Sequence, residues 1–186
     1  MIFGAKKARK RVGVFGGSFN PPHIGHSAIC RWLFEHGLVD MLWVVPCYIH
    51  PFGKKLAPFA DRLSMCRMAF SKLALPIDVL DVEREIGGTS YTLLTIKHLM
   101  AKHPELRFLL VTGEDVSGES DKWQDFGKIR ELVEIIRVPR GPDSPVPDVS
   151  STQVRELIES RKPVSGLVED EVAIYLVTKA LYRQDS

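Results

Sequence analysis

Two short stretches carry residue types that can do chemistry on a phosphate. The first reads Gly16-Gly17-Ser18-Phe19-Asn20-Pro21-Pro22-His23-Ile24-Gly25-His26. Paired glycines let the backbone approach a ligand closely or adopt positive φ. Pro22 suits the start of a helix. His23 and His26 stand three apart and share one face at that helix's positive end, where free N–H groups attract phosphate. Two imidazoles add donors there, and Gly25 leaves room for a phosphate chain. A glycine turn with two incidental surface histidines explains either histidine alone, but not the whole string. A metal site is another reading, since His23, His26 and Cys30 fall on one face at ligand spacing. Cys30 lies one turn deeper, however, and a core position accounts for it better.

The second stretch is Val149-Ser150-Ser151-Thr152-Gln153-Val154-Arg155. Ser150 and Gln153 have capping-box spacing, which accounts for a helix start but not for Arg155. Arg155 alone reads equally as an exposed helix residue. The hydroxyls of Ser150, Ser151 and Thr152, free amides and a guanidinium together form an anion site.

The elements that must hold these stretches alternate between β-rich and helical patterns. Strands are expected over Val12 to Phe15, Met41 to Val45, Ile77 to Val82, Leu106 to Val111 and Glu134 to Val138. Helices are expected from about Pro22 to His36 with Gly37 as the stop, and over Ala60 to Ala74 and Tyr91 to Lys102. Further helices are expected around Trp123 to Leu132, Ser151 to Ser160 and Glu169 to Tyr182, while Pro139 to Asp148 reads as loop. This alternation predicts an α/β fold: a Rossmann-like, doubly wound, mostly parallel sheet of five or six strands with helices on both faces. Such sheets bind ligands beyond the carboxyl ends of their strands, where the strand order switches.

The chain has 186 residues, 45% hydrophobic and 26% charged, a composition typical of a globular domain that needs no staples. Residues 1–11 read as a basic, solvated arm and residues 12–186 as one domain. The formal net charge of +2 gives no electrostatic reason to expect nucleic acid or membrane binding. No apolar run approaches the roughly 20 residues that span a bilayer. Cys30, Cys47 and Cys66 are odd in number and form no C-x-x-C pair, so they read as reduced thiols of a cytoplasmic protein.

The first stretch resembles the H-x-G-H signature of α/β nucleotidyltransferases, preceded by the G-G-[ST]-F-[DN]-P-P element of bacterial nicotinate mononucleotide adenylyltransferases. The second resembles that family's I-S-S-T-x-[IV]-R motif, with Val149 in place of Ile. His50 to Lys55, with Asp61, Arg62 and Met65, is similar to its P-x-x-K loop and R-x-x-M helix, and Lys54 is taken as the matching lysine. Ser90-Tyr91-Thr92 with Thr95 resembles S-Y-T-x-x-T, and Gly113-Glu114-Asp115 resembles G-x-D. Trp123, Phe126 and Ile129 resemble W-x-x-[WF]-x-x-I. Arg140-Gly141 departs slightly from R-P-G, and Val116 to Lys122 form a shorter insert than usual. His-Ile-Gly-His also occurs in class I aminoacyl-tRNA synthetases, which are far larger and carry a K-M-S-K-S element absent here.

The resemblance implies transfer of the adenylyl group of ATP to a pyridine mononucleotide, with Mg²⁺ bound through the ATP phosphates and no metal held by the protein itself. It implies catalytic roles for His23, His26, Lys54 and Arg155. ATP would lie against Gly16, Gly17, Ser18, Phe19, Gly25, Gly113, Ser150, Ser151 and Thr152. The mononucleotide would meet the Ser18 and Phe19 amides, Lys54, Ser90, Tyr91, Thr92 and Arg140, with Asp115 on its ribose and Trp123 stacked on its ring. The expected acceptor is nicotinate mononucleotide. The alternatives are the nicotinamide form, phosphopantetheine, or binding without catalysis; a homodimer is left open.

Overall fold

The computed structural model describes residues 8–113, 125–139 and 144–183. Five strands, β1 (Arg11–Gly17), β2 (Met41–Pro46), β3 (Ile77–Val79), β4 (Arg107–Gly113) and β5 (Glu134–Val138), pair in parallel in the order β3-β2-β1-β4-β5. The order reverses at β1, whose neighbours are β2 and β4. That is the switch point at which this kind of sheet opens a crevice.

Strand side chains alternate between two apolar layers, as expected of a sheet buried on both faces. Phe15, Val44 and Val111 face one layer with α1 (Ile24–Glu35), α2 (Phe59–Ser71), α6 (Ser151–Glu159) and α7 (Asp170–Thr178). Val14, Trp43 and Leu110 face the other, with α3 (Val82–Ile86), α4 (Thr92–Lys102) and α5 (Phe126–Leu132). Gly13 is dictated by packing, since a Cβ there would sit 2.9 Å from both Leu42 and Val39.

Helix α1 stops where the sequence said it would. Gly37 has φ +58, its amide donates to Phe34 O (3.0 Å), and Leu38 N donates to Leu33 O (3.0 Å). Those two bonds are the pair that closes a helix on a left-handed glycine. Other boundaries differ. Gly16 and Gly17 still belong to β1, paired with Val45 and Pro46, so the turn begins at Ser18. Helix α1 begins at Ile24 rather than Pro22, because His23 is extended (φ −141, ψ 170) and serves as its N-cap. The expected strand to Val82 ends at Val79, and α3 begins at Val82. Helix α7 ends at Thr178 rather than Tyr182, because Ala180 and Tyr182 take left-handed backbone, φ +50 and +61.

Candidate active site

The turn after β1 is held by bonds to its own backbone. Arg62, 1% exposed on α2, donates from Nη1 to Ser18 O (2.9 Å), from Nε to Ala57 O (2.9 Å) and from Nη2 to Tyr48 O (3.4 Å). A buried guanidinium needs such acceptors to offset its lost hydration. Phe19 carries the positive φ that the glycines do not, at +44. Its ring is buried against Phe15, His26 and Phe70, which holds that conformation. Gly16 lines the cavity, and a Cβ there would meet only open space, so no packing within the fold requires the glycine.

His23 and His26 stack with ring centroids 3.7 Å apart. The His23 amide donates to His26 Nδ1 (3.1 Å), so Nδ1 is the acceptor and the ring proton sits on Nε2. Nε2 is thereby the donor of the neutral His26 ring. The helix end itself is less open than expected. The Ile24 amide is given to Leu167 O (2.9 Å) and the His26 amide to His23 O (2.8 Å). Gly25 makes room for protein, because a Cβ there would sit 3.0 Å from the His23 ring and 3.4 Å from Pro147 O. Cys30 is fully buried in the core, and burial raises its thiol far above the ordinary range.

The second stretch docks on the first. Ser150 caps α6, accepting from Gln153 N (3.1 Å). Ser151 donates its hydroxyl to Pro21 O (2.8 Å), and Arg155 donates to Asn20 O (2.7 Å) and Thr152 Oγ1 (3.0 Å). Ser151 and Arg155, which the sequence assigned to phosphate, thus fix two carbonyls of the turn, and Arg155 is oriented by both its bonds.

A cavity of about 370 Å³ lies beyond the carboxyl ends of β1, β2 and β4, within the range of small-molecule sites, roughly 300–1,000 Å³. Gly16, Gly17 and Ser18 line one side, and Ser90, Tyr91 and Thr92 line the other. Its back wall is a polar network of which the sequence-based site held only Ser90. Ser90 Oγ accepts from Tyr48 N (2.9 Å) and Ile49 N (3.2 Å). Glu83 accepts from Tyr48 N (3.1 Å) and Thr95 Oγ1 (3.1 Å). Burial pushes the Glu83 carboxyl up, and hydrogen bonds from Ser90, Tyr48 and Thr95 pull it partly back. His50 lies at the mouth, lowered by burial and then by the positive charges of Lys54 and Arg62. Lys54 itself stands exposed on the loop after β2.

Residues 14–157 match the family model described as cytidylyltransferase-like. A protein of Anaeromyxobacter dehalogenans (strain 2CP-C), named "Probable nicotinate-nucleotide adenylyltransferase", is 40% identical over 183 residues, 94% of this chain and 97% of that one. The chain belongs to the nicotinate-nucleotide adenylyltransferase family. The member from Bacillus subtilis (strain 168) is 30% identical, with 93% of this chain and 98% of that one aligned. A solved Plasmodium falciparum nicotinic acid mononucleotide adenylyltransferase, complexed with NaAD, has the same fold. Its TM-score is 0.80 at 17% identity, covering 94% of this chain and 98% of that one.

Of the family's expected site, Gly113 ends β4 at the same edge of the sheet as the turn. Asp115, Trp123 and Arg140 lie outside the described residues. Arg62 and Asn20 were legible as parts of family motifs, but their role as ties within the site was not. Glu83, ahead of the Ser-Tyr-Thr element, and Tyr182, in the closing Leu181-Tyr182 pair, likewise resemble parts of family motifs, with nothing in the sequence to mark them as ties within the site. Among the described residues no helix is long and apolar enough to cross a membrane.

Proposed function

We propose that this enzyme joins nicotinate mononucleotide to ATP, releasing pyrophosphate and forming nicotinate adenine dinucleotide. The observation that carries the reading is the juxtaposition of the cavity with the turn: Gly16, Gly17 and Ser18 line the former and lead into the stacked His23 and His26. An oxygen of the mononucleotide phosphate attacks the α-phosphorus of ATP. The bond from that phosphorus to the bridging oxygen breaks, and pyrophosphate leaves with the electron pair. The phosphate dianion is already a nucleophile at neutral pH, so catalysis rests on positioning and charge stabilisation.

In this reading His26 Nε2 and His23 donate to the ATP phosphates, Lys54 and Arg155 neutralise charge, and the Ser18 and Phe19 amides face the reacting groups. Mg²⁺ enters on the phosphate chain. The donor set fits that mode, since imidazoles, hydroxyls, an ammonium and a guanidinium bind phosphate oxygens and would leave the ion to the phosphate chain. Asp115 on the ribose, Trp123 on the ring and Arg140 belong to the same proposal. So does preference for the acid over the amide, supported by Tyr91 and Thr92 at the N-terminus of α4 lining the cavity. The Ser90 amide takes no part, because it donates to Ile49 O (2.9 Å). The test is pyrophosphate release from ATP and Mg²⁺ with nicotinate mononucleotide, nicotinamide mononucleotide and phosphopantetheine in turn. Release with the first far above the others is expected; release with phosphopantetheine alone, or with none, contradicts the proposal.

A further inference from the structure

Asn20, 4% exposed, sits in the middle of the turn and carries bonds from three distant parts of the chain. Its Oδ1 accepts from Ala57 N (2.9 Å) and from the hydroxyl of Tyr182 (2.7 Å), and its carbonyl accepts from Arg155 (2.7 Å). Ala57 is the foot of the loop that bears Lys54, and Arg62 holds its carbonyl as well. One side-chain amide is therefore shared by the turn, the Lys54 loop and the last residues of the fold.

Tyr182 reaches Asn20 at a conformational cost. After α7 the chain reverses through Ala180 and Tyr182, both non-glycine residues with left-handed φ, a conformation that persists only where the surroundings over-determine it and that clusters at functional sites. The Tyr182 ring packs against the same apolar layer as α1 and α2, so the ring alone can anchor the tail. The hydroxyl has a separate task. Burial raises it far above the ordinary tyrosine range, which keeps it a donor throughout the working pH range.

We propose that Tyr182 is a positioning residue for adenylyl transfer: its hydroxyl locks the Asn20 amide, and through it the register between the turn of His23 and His26 and the loop of Lys54. This rests on the reaction proposed above. Two donors on Oδ1 leave the amide one orientation, whereas with Ala57 alone it can rotate and admit water. The back wall of the acceptor cavity is held by Glu83 and Ser90, which neither Asn20 nor Tyr182 bonds, so loss of the hydroxyl should disturb the reacting phosphates more than acceptor binding.

Tyr182→Phe keeps the ring and removes the hydroxyl. Its kcat should fall about 3- to 10-fold, the scale of one neutral hydrogen bond, with a smaller change in the KM for nicotinate mononucleotide and a urea midpoint lowered by no more than the loss of one such bond. Asn20→Ala should lose more, Asn20→Asp, which keeps an acceptor oxygen, should recover most of that loss, and Tyr182→Phe on top of Asn20→Ala should add nothing. Amide hydrogen exchange provides a reading without substrate: residues 18–20 and 53–57 should exchange faster in Tyr182→Phe, with the Glu83 and Ser90 region unchanged. Wild-type kcat and wild-type exchange in Tyr182→Phe would overturn the inference. So would parallel losses in kcat, acceptor KM and stability, or full additivity in the double variant. An inactive wild-type enzyme would instead count against the reaction, leaving the exchange comparison to decide the role of Tyr182.

Discussion

The turn that follows β1 and the loop that follows β2 end at one cavity, built on opposite plans. In the turn, the carbonyls of Ser18, Asn20 and Pro21 each accept a hydrogen bond from another part of the chain, and Phe19, Asn20 and His23 are buried. In the loop, Phe52, Gly53, Lys54 and Lys55 are exposed, turned by Gly53 at φ +63 with its amide on His50 O (3.1 Å). The difference suits the two tasks. Oriented imidazole and backbone dipoles stabilise developing charge only if they are fixed before the reaction. An ammonium on a flexible stem acts as a point charge and needs reach more than orientation. Under the proposed roles, the preorganised donors would sit on the tied element and the Lys54 ammonium on the exposed one.

The sharpest way to break this contrast is to remove a fixed donor. His26→Ala should lower kcat by roughly 10²–10³, the cost of one lost transition-state donor, and leave the KM for the acceptor nearly unchanged. Steady-state kinetics with both substrates varied gives the answer, and an undiminished kcat would rule out His26 as the donor. Arg155 carries two tasks in this account, since it holds the Asn20 carbonyl and is proposed to neutralise the ATP phosphates. Charge-assisted bonds contribute about 1.5–3 kcal/mol each, so Arg155→Ala should weaken binding of a non-hydrolysable ATP analogue by roughly 10- to 150-fold. Calorimetric titration showing unchanged affinity, with unchanged turnover, would reduce Arg155 to a helix surface residue.

How far the sequence revealed this arrangement depends on the separation of the partners. The turn and the Ser-Ser-Thr…Arg stretch were legible because their chemistry is written in consecutive residues. The parallel α/β sheet was legible from alternating apolar runs. Helix α3 was not, because five residues are too few to show a period. Arg62 and Glu83 became visible as ties only when folding brought them to Ser18 and Tyr48. Tyr182, which meets Asn20 across 162 positions, reads from its apolar neighbours as a helix residue. Its left-handed backbone accompanies the packing of its ring on the layer of α1 and α2, a tertiary contact that overrides local propensity.

Two smaller effects concern the cavity wall. The acid acceptor should exceed the amide in kcat/KM by about 5- to 150-fold, because a backbone donor facing the amide nitrogen stays unpaired at about 1–3 kcal/mol. Equal values would mean the α4 end does not read the carboxylate. The Glu83 carboxyl is raised above its ordinary value of 4.5, so the folded state holds its proton more tightly than the unfolded state does. That contribution to stability is complete below the ordinary value and is lost as pH rises through the raised one. Glu83→Gln, which stays neutral, should therefore gain stability relative to wild type as pH rises from about 4.5. Urea unfolding across that window would show it, and a pH-independent difference would contradict the burial of a titrating carboxyl there.

The central claim is that this site moves the adenylyl group and not another part of ATP. Incubation with nicotinate mononucleotide, Mg²⁺ and ATP labelled at the α-phosphorus tests it most directly. The label should appear wholly in a dinucleotide with the mass of nicotinate adenine dinucleotide, and the pyrophosphate should be unlabelled. Label remaining in AMP or ADP, with no dinucleotide formed, would contradict adenylyl transfer.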